Sequence, residues 1–283
     1  MIQSLAHQCP VRRLCSLLEV SPSGYYHWRN QKPGARALAN QQLLQHIQKA
    51  FTYSRQTYGS PRITRLLQRQ RIPCSEKRVA RLMRIHQWRA KSKRPFRPRT
   101  TDSRHLYGAA PNRLKQQTLT RINQAWAADI TYIQAGSSWI YLAAVMDLFS
   151  RRVVGWSIGY SLHTSLVKEA LQQALALRRP AAGLLHHSDR GLQYASSAFQ
   201  ALLATYQITP SMSQRGNCYD NAIMESFWST LKSELVHRCS FTDLPQASRA
   251  INDYIQNFYN PKRLHSALDF NSPVDFEQLS THK

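Results

Sequence analysis

Three carboxylates stand out in this chain by where they sit and how they are spaced. Asp129 lies inside WAADITYI (residues 126–133), a strand-like run that is almost wholly apolar apart from it. An ionised carboxylate there is costly unless something compensates it, and a bound cation is one such compensator. Asp189 follows the short run GLLHHS and precedes Arg190-Gly191, so it stands where a strand ends and a loop opens. Glu225 lies in a helical pattern over roughly 221–236, where Met224, Trp228, Leu231 and Leu235 recur at helical spacing as a buried stripe. Glu225 falls about 100° from Met224, on the flank of that stripe, so the helix can aim it at strand ends while the stripe packs. Taken singly, each acid reads as a solvated or capping residue. Together they form a spaced set: 35 residues separate Asp189 from Glu225, and Lys232 follows Glu225 by seven, two helical turns along the same face.

Neighbouring polar residues read differently. Asp147, before Ser150-Arg151-Arg152, suits a hairpin turn. His186 and His187 have no further ligands spaced for zinc and read as strand histidines behind Asp189. Arg215, Asn217 and Asn221 precede the Glu225 helix and are candidates for DNA contact near a cut, or for loop capping. His265, in RLHSAL, gains no chemical role from its context. The five cysteines are scattered, without a CxxC pair, and read as free thiols.

The elements that must position these groups follow from pattern. WAADITYI, SWIYLAAVMDLF and RRVVGWSIGY are three β-rich runs joined by turns, read as antiparallel strands. A helix (SLVKEALQQALALRR), a strand, a helix (SSAFQALLATYQ) and a strand (ITPSMS) follow, and helical patterns at roughly 221–236 and 243–258 come next. Such an order predicts an α/β layer fold with a mixed sheet over 122–283.

Charge separates this half from the rest. The 283-residue chain has a formal net charge of +23. Residues 1–125 carry 25 Lys/Arg against three acids (Glu19, Glu76, Asp102), a net of +22, while residues 126–283 carry 13 against 12, a net of +1. A strongly basic arm on a near-neutral domain predicts nucleic-acid binding. No amphipathic helix concentrates the basic residues as a membrane-surface protein would, and no apolar run approaches a bilayer span, so a cytoplasmic protein is expected.

Within the arm, residues 1–35 form a helix-turn-helix-like segment with two short helices over 11–30, the second capped by Ser21 and Pro22. Residues 40–89 repeat the theme. QQLLQHIQKAF is a first helix, RITRLLQRQ begins at Ser60-Pro61, and Ser75 caps EKRVARLMRIHQW, with Arg62, Arg65, Arg78 and Arg81 expected mostly outside as DNA contacts. Residues 90–121 hold three prolines and nine Lys/Arg and read as an extended basic linker.

The acids and the words around them carry a resemblance. WAADIT, HHSDRGLQYAS, SMSQRGNCYDNAIMESFWSTLKSEL, YNPKRLHSALDFNSPVDFE and YGSPRIT are similar to the OrfB-type transposases of bacterial insertion sequences in the IS-three family, and the 35-residue spacing resembles the DD(35)E signature of the retroviral-integrase superfamily. That resemblance implies an RNase H-like catalytic core, a mixed five-stranded sheet flanked by helices and preceded by small helix-turn-helix modules. Asp129, Asp189 and Glu225 would fall on its first strand, fourth strand and a late helix. It implies two Mg2+ or Mn2+ ions on those carboxylates, because hard cations take oxygen ligands rather than Cys or His. It implies cleavage at element ends followed by strand transfer, with Lys232 beside the cut. The implied partners are double-stranded DNA, further copies of the chain, and an upstream-frame protein with a helix-turn-helix and leucine zipper. Two alternatives stay open: a DNA-binding regulator with an inactive core, and an RNase H-like nuclease that hydrolyses without joining.

Overall fold

The computed structural model describes residues 2–32, 34–90, 110–214 and 221–281. Three short helices, α1 (Ile2–Leu5), α2 (Val11–Leu17) and α3 (Pro22–Asn30), begin the chain. The first lies outside the two-helix expectation; α3 starts as expected, with Ser21 Oγ accepting the Gly24 N–H at 2.9 Å. Helices α4 (Ala35–Tyr53), α5 (Ser60–Arg69) and α6 (Glu76–Ile85) form the basic helical module, and Ile47, Ile63, Leu67 and Val79 are fully buried in it.

The sheet comprises β1 (Ala125–Ala135), β2 (Ser138–Asp147), β3 (Val153–Gly159), β4 (Leu185–Ser188) and β5 (Thr209–Met212), in the order β3-β2-β1-β4-β5. The first three strands pair antiparallel, whereas β4 lies parallel to β1 and β5 parallel to β4, which makes the sheet mixed. Gly136, at φ +59°, turns the β1–β2 hairpin in a region that disfavours side chains. Helix α7 (Thr164–Arg178) connects β3 to β4; α8 (Leu192–Ala195) and α9 (Ser197–Thr205) connect β4 to β5. Gly155 on β3 lets α7 approach closely, since a Cβ there would stand 2.1 Å from the Ala170 carbonyl oxygen.

Strand alternation divides the core in two. Trp126 and Ala128 pack toward α7 and α9, with Val145, Val154, Leu171 and Phe199. Ala125, Ala127 and Ile133 face the other way, toward α10 (Ala222–Glu234) and α11 (Leu244–Tyr254), with Met224, Phe227, Leu231 and Ile251. A π-helical turn over Ile255–Tyr259 follows α11, and α12 (Pro273–Thr281) closes the fold. Glu277 of α12 is buried with ion pairs to Arg152 and Arg178, which clamps the C-terminal helix to the sheet. Among the described residues no helix is long and apolar enough to cross a membrane.

The helical module packs on this last part of the chain. The Tyr58 hydroxyl accepts the Leu264 N–H at 2.7 Å and donates to the Lys262 carbonyl at 3.1 Å, while Arg55 pairs with Asp253 at 2.7 Å.

Candidate active site

Sheet register brings the two aspartates together. β4 pairs with β1 over Ala125–Ala127, where Ala127 stands beside His187. Asp129 lies two residues beyond this pair on β1 and Asp189 two residues beyond it along the chain, and the charge of Asp189 acts on Asp129. Asp129 shares its parity with Ala127 and Ile133 and therefore points toward α10. There its Oδ2 accepts the indole N–H of Trp228 at 3.0 Å, while its Oδ1 accepts the Ile130 N–H at 2.8 Å.

Asp189 opens the loop after β4. Its Oδ1 accepts the Gly191 N–H at 2.9 Å, and Arg190 Nε donates to the Ser213 carbonyl at 2.9 Å, tying this loop to the end of β5. Behind it, buried His187 spans Ser211 and Ser213 Oγ at 2.9 and 3.1 Å. His186 is buried and pushed down to about 3 by desolvation and then by His187, so it stays neutral and serves as packing against Phe199. Asp147 caps its turn, accepting the N–H groups of Asn123, Phe149 and Ser150.

Electrostatics links the three acids. The residue surface of Asp129 is only partly covered, but its carboxyl is desolvated, and its pKa is raised to about 7. Burial is the largest cause, repulsion from Asp189 comes next, and Glu225 adds a smaller push, against the hydrogen bonds from Ile130 and Trp228. Glu225 is exposed on the first turn of α10, one turn before Trp228. Lys232, two turns beyond Glu225, is half-buried with Nζ 4.7 Å from the Tyr132 ring centroid; burial pushes its pKa below the usual lysine value, and the charge of Asp129 opposes this in part.

The donor chemistry fits a hard divalent cation. The three acids supply only oxygen ligands, and the two hydrogen bonds that Asp129 accepts leave lone pairs on its carboxylate. A cation between them would offset both the burial and the repulsion at Asp129. In this conformation no three His, Cys, Asp or Glu side chains among the described residues stand close enough to share one ion, and Glu225 is the outermost of the set.

Among the expected DNA contacts, Asn221 is buried immediately before α10, and its Oδ1 has no hydrogen-bond partner among the described residues. Arg215 and Asn217 lie outside the described residues. Arg62 is half-buried over the Tyr58 ring, Arg65 lies over Phe270, and Arg69 bonds Asn271. The basic face of α5 therefore meets the C-terminal region. Arg78 donates to Asn40 Oδ1 at 2.9 Å, whereas Arg81 is exposed, in line with exposed Lys77 and Arg84 along α6. Trp228 reads from sequence as core and is core, but it is also the donor to Asp129. A buried indole that needs an acceptor, one turn after Glu225, is the signal that points to it.

Residues 120–218 match an integrase core domain, residues 206–273 match a second integrase core domain pattern, and residues 38–96 match an HTH-like domain. The chain is 40% identical to the "Insertion element IS600 uncharacterized 31 kDa protein" of Shigella sonnei, covering 94% of this chain and 97% of that protein. It is 39% identical to "Transposase InsF for insertion sequence IS3A" of Escherichia coli, over 94% of this chain and 93% of that one. Among solved structures, the HTLV-2 integrase catalytic core domain in complex with magnesium aligns with 56% of this chain and 97% of its own, at 20% identity and a TM-score of 0.44.

Proposed function

The chain belongs to the insertion-sequence transposases of the IS3 family, enzymes with an integrase core that cut and join DNA, and we propose that Asp129, Asp189 and Glu225 hold the divalent cations for this chemistry. The observation that supports this assignment most is the setting of Asp129, whose carboxyl is tied by Trp228 to the helix that carries Glu225 and is acted on by the charges of Asp189 and Glu225. Such an arrangement is unfavourable in isolation and favourable around a cation.

Two Mg2+ or Mn2+ ions, when bound, would activate the attacking oxygen and stabilise the leaving one in an in-line displacement. Water displaces the 3′ oxygen at an element end, one P–O bond forming as another breaks. The freed 3′-OH then displaces a bridging oxygen of the target strand, with no covalent bond to protein. Trp228 keeps the Asp129 carboxylate in one orientation, and Lys232 offers a charged group to a phosphate beside the site. DNA contact near the cut is assigned to Asn221, Arg215 and Asn217.

Duplex DNA is held by the basic helical module, above all by the exposed α6 row of Lys77, Arg81 and Arg84, which follows one helical face. Joining needs two ends held together, hence more than one subunit. An upstream-frame partner with a zipper would raise the effective concentration of the second end. We assign the chain to the cytoplasm, where bacterial DNA is found.

Iron-directed backbone cleavage tests the cation site without DNA. Fe2+ with ascorbate and peroxide should cut the polypeptide near residues 129 and 189, and excess Mg2+ should suppress the cuts. Cuts confined elsewhere, or indifferent to Mg2+, would refute the assignment.

A further inference from the structure

Tyr194 is one of the largest fully buried side chains of the protein, at 2% exposure. It sits on α8, five residues beyond Asp189, and its N–H bonds the Gly191 carbonyl at 3.0 Å. Gly191 in turn donates to Asp189 Oδ1, so α8 is built directly onto the aspartate loop. The ring is fixed by an edge contact with Phe199 at 5.4 Å and a tilted one with His186 at 6.2 Å, and its backbone carbonyl accepts Gln200 Nε2 at 2.7 Å. Everything about this tyrosine is anchored except its hydroxyl, which is buried without a hydrogen-bond partner among the described residues.

A phenol buried without a partner is destabilising, and phenylalanine would avoid that cost. The position of the hydroxyl accounts for retaining it. Besides burial, the charges that act on it are those of Asp129 and Asp189, and it bonds neither. Asp129 accepts from Ile130 and Trp228 and Asp189 accepts from Gly191, and neither has the phenol as a donor.

We propose that Tyr194 is a positioning residue, whose hydroxyl donates a hydrogen bond to the Asp129–Asp189 carboxylate pair when a divalent cation draws the two together. The proposal rests on the cation-site reading above. Donors behind ligating carboxylates orient them, and their loss typically weakens metal binding ~10–100-fold.

The test uses the full chain and Mn2+ alone, by calorimetric titration and thermal melting, for the wild type, Tyr194→Phe and Asp189→Asn. Without metal, Tyr194→Phe should melt at the wild-type temperature or higher, because no bond is lost. With Mn2+ its affinity should fall about tenfold or more, and its metal-induced stabilisation should shrink. Wild-type affinity in Tyr194→Phe, while Asp189→Asn loses binding, would overturn the proposal and leave the carboxylate site standing. So would weakened binding accompanied by a lower metal-free melting temperature, since that marks a packing role. A wild-type chain that takes up no Mn2+ would remove both readings.

Discussion

The indole N–H of Trp228 donates to Oδ2 of Asp129 at 3.0 Å, so the helix that carries Glu225 is also the element that orients the first-strand aspartate. One side chain thus couples the packing of α10 to the geometry of the carboxylates. Trp228→Phe keeps most of the buried ring and removes the donor. A hydrogen bond to a charged group contributes roughly 1.5–3 kcal/mol, so cleavage should fall about 10- to 150-fold if that energy is expressed in the reaction. DNA affinity should hold. Cleavage at the wild-type rate would mean that the indole only packs.

Lys232 presents its ammonium over the Tyr132 ring rather than to open water. Lys232→Ala should weaken crosslinking of the chain to the terminal nucleotides of an element end and slow cleavage there, while Lys232→Arg should retain part of both. Unchanged crosslinking and unchanged rates would make it a surface lysine.

On the basic module, the two faces should separate. Charge reversal at Arg81, or at Lys77 or Arg84 beside it, should lower duplex affinity and flatten its salt dependence in the full chain. Reversal at Arg62, half-buried on Tyr58, should lower the melting temperature as well. Equal effects of Arg81 and Arg62 variants on binding and on melting would erase this distinction.

Glu277 supplies a pH signature. Burial opposes its charge, but hydrogen bonds from Arg178 and Ser150 hold its carboxyl below its ordinary value. Its folded pKa therefore lies below the unfolded one, so the stabilisation is present above about pH 4.3 and is lost as pH falls through the folded value. Glu277→Gln should melt earlier than the wild type near neutrality, and the gap should narrow as the solution is acidified below about pH 4. A gap that stays constant with pH would place the effect in packing rather than charge.

Much of this was legible in sequence because it is local. The apolar runs around Asp129, the strand end at Asp189 and the helical period around Glu225 each reveal their element within a dozen residues, and Ser21 and Ser75 cap where expected. The mixed sheet follows from the order of those runs. What lay hidden depends on contacts between distant segments. The hydrogen bond from Trp228 spans 99 residues, and the bond from Arg69 to Asn271 spans 202, so no window of sequence shows that α5 spends its arginines on the C-terminal region. Tyr194 lies in HHSDRGLQYAS with nothing local to mark it, because only the fold shows its hydroxyl buried without a partner among the described residues.

The central claim is that three carboxylates hold the cations for DNA cutting and joining. Its most direct measurement is cleavage and strand transfer of a labelled element end in Mg2+, by full-length Asp129→Asn, Asp189→Asn and Glu225→Gln, with duplex binding followed in parallel. These changes remove metal-binding charge with little change of volume. Each variant is expected to bind DNA nearly as the wild type does and to neither cut nor join, and EDTA should silence the wild type in the same way. Near-normal strand transfer by any one of the three would take that residue out of the site and contradict the account.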